Sequence, residues 1–275
     1  MVLRDRQDEA MGIIKRLLNG EDRFSYDSEW FKLRDAKLHL RPLQENMEFA
    51  VASIVSPSGM TLAGKHQTGV LSIGATVPAG MRALPNQWAF AEESAKLHGN
   101  TVNRKDWRLV LNWHIAETRE KAREQSKHGL FRHNNEYSVG TLKPGEGTIY
   151  KTPDEAVDDV SSSQERTAVI GTPDDLIEKI NDMIKLTGGF GCVIGFVHDW
   201  ANRQDTLKSW DLVARYVIPE VNGLLDDYRE SNKYTIENRE TRLRAGEAVL
   251  NKIQTKEKSA KVLETEGYTG EKTAK

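Results

Sequence analysis

Polar and ionisable side chains gather in four short strings, each lying at the end of an apolar run. They are Ser53-Ile54-Val55-Ser56-Pro57-Ser58-Gly59, Ser72-Ile73-Gly74-Ala75-Thr76, Asn112-Trp113-His114 and Val197-His198-Asp199-Trp200. In the first string Ser56 suits an N-cap and Pro57 a first helical position, so a helix is expected to begin there. Its free backbone N–H groups and positive dipole end would favour a phosphate beside Ser56 and Ser58. The plain alternative is that Ser56 only caps the helix. The last string sets a titratable pair and an aromatic side by side. Its plain alternative is a helix-entry turn capped by Asp199. Trp107 and Trp113 lie six apart in one run and share a face, so His114 points the other way.

Other candidates fail on their own grammar. Gly59-Met60-Thr61-Leu62-Ala63-Gly64-Lys65 fits G-x-x-x-x-G-K, but His66 stands where a magnesium-holding Ser or Thr belongs. If Ser56-Pro57 opens a helix, Gly64-Lys65 lies at its end among exposed carbonyls, and Gly64 reads as a left-handed cap. Nucleotide-triphosphate binding is kept as an alternative reading on this string. Gly188-Gly189-Phe190-Gly191 precedes an apolar run instead of following one, so it is a turn and no dinucleotide fingerprint. His128 and His133 lack cysteines or paired carboxylates nearby, so no metal site is expected. Cys192 reads as a small core hydrophobe. No Ser/His/Asp triad can be read from spacing, because triads assemble in space.

The elements that must position the four strings are legible as periodicities. Apolar runs at 47–55 (MEFAVASIV), 69–73 (GVLSI), 107–115 (WRLVLNWHI) and 191–197 (GCVIGFV) predict strands. Helical patterns precede, separate and follow them: 7–19 ended by Gly20, 56–64, 86–97, 117–128, 172–187 and 205–217. Thr172 caps the fifth of these and Gly188-Gly189 stop it. Residues 24–40 alternate around Asp27-Ser28 and predict a hairpin. Strands alternating with helices mean a parallel sheet with crossover helices. Barrels and open doubly wound sheets both place ligands at the carboxyl ends of strands, where the four strings lie. The stretch 129–170 breaks the rhythm with Gly, Asn, Pro and Ser and only a short helix at 153–160. Such a long irregular stretch is expected to be a mobile lid, above all over 129–150. Beyond about 229 the chain turns polar, predicting a loose helix over 239–253 in a largely disordered tail. The expected division is therefore 1–229 and 230–275.

Composition narrows the partners. The 39 basic and 41 acidic side chains nearly cancel, so nothing argues for nucleic acid as a partner. One cysteine excludes an intramolecular disulfide and fits a reducing, cytoplasmic setting. No apolar run is long enough to span a membrane, and the charged start, MVLRDRQDEAMG, lacks the apolar core of a secretory signal.

The strings VASIVSPSGMTLAGKHQTGVLSIGA, WRLVLNWHIAETREKAR and above all IGTPDDLIEKINDMIKLTGGFGCVIGFVHDWANRQDTLKSWDLVARYVIPEV resemble the luciferase-like flavin-dependent monooxygenases. The limonene-monooxygenase-like branch is the nearest in character, and the likeness runs from about residue 7 to 229. The resemblance implies a (β/α)8 barrel in which 47–217 are strands five to eight, with an insertion after strand seven at 117–170. It implies a flavin phosphate held at Ser53, Ser56, Ser58 and Gly59. The isoalloxazine ring would lie near Ser72, Gly74 and Trp200, with His198 catalytic and His114 and Asp199 on the substrate and lid side. It implies reduced FMN and O2 oxygenating a small organic substrate such as a terpene, with FAD or F420 as alternative cofactors. A separate flavin reductase and a homo-oligomer belong to the same implication. The cofactor would carry the difficult chemistry, so no protein nucleophile is needed. Two further readings accompany it: an F420-dependent oxidoreductase of the same fold, and a non-catalytic half-barrel. Family members carry strands one to four ahead of the helix that opens this chain, so a truncated fragment is expected.

That expectation has an energetic consequence. Four strands leave two sheet edges and one open inner face. At ~25 cal/mol per Å2, ~800 Å2 of uncovered apolar surface forfeits about 20 kcal/mol, above the ~5–15 kcal/mol stability of a typical domain. Residues 1–275 expressed alone are expected to self-associate and to lack monooxygenase turnover. Light scattering with an oxygenation assay checks this; a monodisperse, active monomer would refute it.

Overall fold

The apolar runs pair into one parallel sheet. A computed structural model describes residues 2–45, 47–142, 147–162 and 165–255 of the chain. Its strands are β3 (Ala50–Ser53), β4 (Gly69–Ser72), β5 (Trp107–Ile115), β6 (Ala168–Gly171) and β7 (Cys192–Phe196). Before them, β1 (Phe24–Asp27) and β2 (Lys32–Ala36) form the expected antiparallel hairpin. β5 is the hub. Its first residues pair with β4, Arg108–Asn112 pair with β7 on the opposite edge, and Asn112–Ile115 pair with β6. β6 therefore takes the edge of β5 that β4 has already left. This fifth strand was not expected, because its four residues, AVIG, sit inside a polar stretch too short to show a period.

Most helices cover one face: α1 (Val2–Leu18), α2 (Ser58–His66), α3 (Pro78–Leu97), α6 (Pro173–Thr187) and α7 (Arg203–Leu212). α4 (Arg119–Arg132) and α5 (Pro153–Ser162) pack against Ala168 on the other side of β6. A π-helical turn over Val213–Val217 and a short α8 (Ile218–Val221) complete this part. Trp107, Leu109, Leu111 and Ile115 of β5 point into this layer and pack with Val51, Val70, Met60, Leu84, Trp88, Leu176 and Met183. The opposite face leaves apolar side chains open, with Phe196 at 40% and Ile194 at 36% exposure. The chain divides into two compact units, Met1–Val221 and Asn222–Lys275. The second contains α9 (Asp226–Glu237) and α10 (Arg239–Gln254). α10 matches the helix expected over 239–253, whereas α9 occupies residues expected to be disordered; 256–275 lie outside the described residues.

Local signals explain most boundaries. Thr172 and Asp175 form a reciprocal capping box at the start of α6, and Gly188 closes it at φ +75°. Asn202, not Asp199, caps α7 by accepting from Asp205 N. α3 starts at Pro78, eight residues before the expected start, because interior Pro85 disguises its first turns. α4 runs on past 128, and His133–Leu142 continue as a π-helix where a loop was expected. Residues 143–146 of the expected lid lie outside the described residues.

Gly64 is corrected more sharply. The left-handed residue closing α2 is Gln67, at φ 51°. Gly64 lies inside the helix, where a Cβ would run into the Ala91 carbonyl oxygen and the Ala95 nitrogen of α3. Its role is close helix approach. Gly64→Ala is expected to cost about 1–3 kcal/mol by overpacking, read as a lower urea midpoint at unchanged slope. An unaltered midpoint would show that α2 and α3 are not in contact there.

Candidate functional site

Four strand tips converge at the carboxyl end of the sheet, and the side chains there divide by the face they point to. Val51 and Ser53 are buried while Ala50 and Ala52 are exposed, so Ser53 faces the helices. Its hydroxyl donates to Gln87 Oε1 at 3.3 Å, and Gln87 Nε2 donates to the Val55 carbonyl at 2.6 Å. Ser72 is also buried and accepts from Trp107 Nε1 at 2.8 Å. Both hydroxyls are turned away from the open face, against the expectation that they line it. Gly74 is buried under the Ile54 carbonyl and against Gly80. Ser and Gly types at a tip announce a site in sequence, but only the facing decides whether they reach it.

Ser56 and Ser58 stay at the surface of the β3 tip, while Gly59 is buried beneath them. Ser56 does not cap the helix: Pro57 holds that position, without a side-chain cap. The Ser56 and Ser58 hydroxyls are exposed and hydrogen-bond to each other at 2.7 Å. Gly59 lets the first turn of α2 lie on the strand, since a Cβ would sit 2.7 Å from the Ala52 carbonyl oxygen. The result is an uncapped helix start with two exposed, mutually bonded hydroxyls beside its open amides, an arrangement suited to an anionic oxygen cluster. The Walker-like reading fails by placement. Lys65 lies in the last turn of α2 and pairs with Asp8 at 2.6 Å, as does His66 Nε2.

The β7 tip holds an aromatic cluster. His198 stacks on Trp200 at 4.6 Å and 11°, with Phe196 at its edge at 5.4 Å. Asn112 Nδ2 donates to the Thr167 carbonyl at 3.4 Å, leaving Oδ1 to accept from His198 Nε2 at 3.0 Å. His198 therefore carries its proton on Nε2 and keeps Nδ1 as an acceptor. His133, from the π-helix, lies 4.8 Å from His198 and 5.4 Å from Tyr137. Burial, and then the neighbouring His133, push the His198 imidazolium down to about 4. Burial also lowers His133, opposed by Asp199. Asp199 pairs with Arg132 at 3.3 Å. Sequence reasoning weighed His133 only as a metal ligand and passed over Tyr137, because the stretch read as a loop without a face.

His114 is not brought to this cluster. It is buried, bonds Gln125 Oε1 at 3.0 Å, and burial pushes its imidazolium below the ordinary histidine range. Gln125 in turn donates to Asp205 at 2.8 Å. A cavity of about 830 Å3 opens at the other end of the sheet, by Lys15, Phe49, Thr68, Arg104 and Arg108. Its cations are already engaged, Arg108 by Glu48 and Arg104 by the Thr187 and Gly189 carbonyls, and it lies far from the convergent tips. The carboxyl end is therefore the candidate site. Among the described residues no group of three His, Cys, Asp or Glu could hold a metal, and no helix is long and apolar enough to cross a membrane.

A parallel sheet with crossover helices, polar and aromatic side chains gathered at its carboxyl end, defines an α/β protein of the architecture that places ligands at that end. Residues 4–189 match the family model of the luciferase-like monooxygenases. The chain belongs to that family. It is 37% identical over 240 residues to 4-hydroxyprotoasukamycin monooxygenase of Streptomyces nodosus subsp. asukaensis, covering 85% of this chain and 63% of that protein. It is 38% identical over 220 residues to limonene 1,2-monooxygenase of Rhodococcus erythropolis, covering 80% and 55%. The chain thus spans between half and two thirds of the length of these relatives. Among solved structures, a monooxygenase from Streptomyces bottropensis superposes with TM-score 0.63 at 19% identity, covering 79% of this chain and 61% of that one. The oxygenating constituent of 3,6-diketocamphane monooxygenase from Pseudomonas putida, solved with FMN, gives 0.55 at 20%, covering 76% and 61%. These two likenesses establish a shared α/β fold.

The aromatic cluster has a pH signature. His198 titrates near 6.5 when unfolded and about 4 when folded, so between these values the unfolded chain binds the extra proton. Stability contributed by neutral His198 is present above about pH 6.5 and is lost as pH falls toward 4. The melting temperature is expected to drop across that window, and less steeply in His198→Phe. Equal slopes in the two proteins would overturn the assignment.

Proposed function

We propose that this chain forms the flavin-binding side of a flavin-dependent monooxygenase acting on a small, largely apolar organic molecule. The observation that carries the reading is the uncapped start of α2, with the Ser56 and Ser58 hydroxyls beside its amides, on a chain of this family. β3 and β7 are separated by β4 and β5, roughly 14 Å at ~4.8 Å per strand spacing. A ligand that touches both ends must be elongated, anionic at Ser58 and flat at His198 and Trp200. FMN has that form, and a solved protein of the same fold contains it. β3, β4, β5 and β7 correspond in this reading to strands five to eight of a barrel, and the segment between β5 and β6 to the insertion over the site.

Each residue has a part in that arrangement. Ser56, Ser58 and the first amides of α2 hold the phosphate, and Gly59 brings those amides to the strand tip. Trp200 backs His198, and Asn112 fixes its tautomer, so that Nδ1 faces the ligand as an acceptor. Bound reduced flavin supplies the oxygen-activating chemistry, and a separate reductase supplies the reduced flavin. The π-helix and its aromatic neighbours keep water from the reacting end. The relatives' names, a limonene and a protoasukamycin monooxygenase, support oxygenation of a carbon framework as the reaction class.

Ser58→Ala removes a charge-assisted hydrogen bond and is expected to weaken FMN binding by about 1 kcal/mol or more, roughly fivefold, in a fluorescence titration. Parallel titrations with FAD and F420 identify the cofactor. Unchanged FMN affinity in both Ser56→Ala and Ser58→Ala would remove the phosphate assignment.

A further inference from the structure

His198 is held on four sides, and three of the holding groups come from the sheet and its tip. Trp200 covers one ring face, Phe196 meets an edge, and Asn112 fixes Nε2. The fourth side is His133, tilted at 59° with ring centroids 4.8 Å apart. His133 is the residue of the π-helix that reaches this ring among the described residues, and Tyr137, one turn on, packs against it at 5.4 Å. Behind both, Gly129 of α4 lets the helix lie directly on the Trp200 backbone, since a Cβ there would strike the Trp200 Cα and carbonyl carbon. The helical segment and the tip of β7 are therefore joined by a backbone contact at Gly129, the Arg132–Asp199 ion pair and a ring contact at His133.

We propose that His133 is the positioning residue for His198, the one side chain through which the π-helical segment holds that imidazole in a single orientation and shields it from water. The inference rests on the reading of the β7 tip as the ring-binding end. His133 completes the enclosure: without its ring, His198 keeps Trp200, Phe196 and Asn112 but gains solvent on its open side. The charged groups facing the pair are Asp199, 3.3 Å from Arg132, with Arg132 on the last turn of α4. Their mutual pairing leaves no net charge at the mouth of the enclosure. His198 thus senses the segment chiefly through water access, with a smaller repulsion from a protonated His133.

The test is a histidine NMR titration of the full chain, wild type against His133→Ala, His133→Asn and His133→Phe. In the wild type the His198 midpoint is expected at about 4. Removing the ring in His133→Ala or His133→Asn should raise the midpoint toward the ordinary histidine value. His133→Phe, which restores an apolar cover without a second imidazole, should bring it back down. FMN affinity should fall about 2–10-fold in His133→Ala and recover in His133→Phe, the scale of one aromatic contact. A His198 midpoint that stays put in a folded His133→Ala or His133→Asn protein would overturn the assignment. If His133→Ala fails to fold, His133→Asn decides. The titration reads His133 whether or not FMN binds. Loss of the phosphate assignment through Ser58→Ala therefore leaves this result standing, and the reverse also holds.

Discussion

Along the nine residues of β5, backbone hydrogen bonds reach three other strands, and this ladder sets the height at which each tip ends. Because the register places Asn112 opposite Phe196, the Asn112 amide stands level with the start of the β7 tip and can reach His198. Alternation along the same strand sends Trp107, Leu109 and Leu111 into the helix layer and Arg108 and Asn112 the other way. One strand therefore supplies both the centre of the core and the group that orients the candidate histidine. A slip by one residue would exchange those faces and lose both at once.

The helix layer depends in turn on absent side chains. Gly64 lets α2 touch α3, Gly59 lets α2 begin on β3, and Gly129 lets α4 rest on the Trp200 backbone. Two of these three contacts lie directly under the tips. Tight packing and ligand access are thus set by the same residues, because a helix start can present its amides only if nothing holds it away from the strand. Arg119 and Asp175 brace the neighbouring region: Asp175, held down to about 2 chiefly by Arg119, also closes the cap of α6.

Much of this arrangement is legible in residue order. The apolar runs of β3, β4, β5 and β7 announce themselves, as do the capping box at Thr172 and the stop at Gly188, because each is decided by neighbours close in sequence. The facing of Ser53 and Ser72 is not legible, since a four-residue strand buried mostly on one side gives too few alternations to phase. Gly64 misleads for a related reason: glycine near the end of a helical run has two uses, and choosing between them requires knowing where α3 lies. His133 is hidden by its setting. Gly, Asn and His in succession read as a loop, whereas burial against His198 and Trp200, contacts more than sixty positions away, draws them into a helix.

The place of β6 gives the sheet a further property. The chain leaves β5 after Ile115 and, some fifty residues later, returns to the very strand it left, with Ile115 opposite Gly171 and Ala116 N bonded to the Gly171 carbonyl at 2.9 Å. The excursion is clamped at its base by the same ladder that ends the strand. Its length is then nearly free, for the entropy of closing a loop rises only as the logarithm of its size. The segment between the two clamped ends behaves as a cassette. Away from the contacts that α4 and His133 make with the β7 tip, its length can change without moving the strands beneath, and this is a route by which one sheet could come to serve many differently shaped molecules.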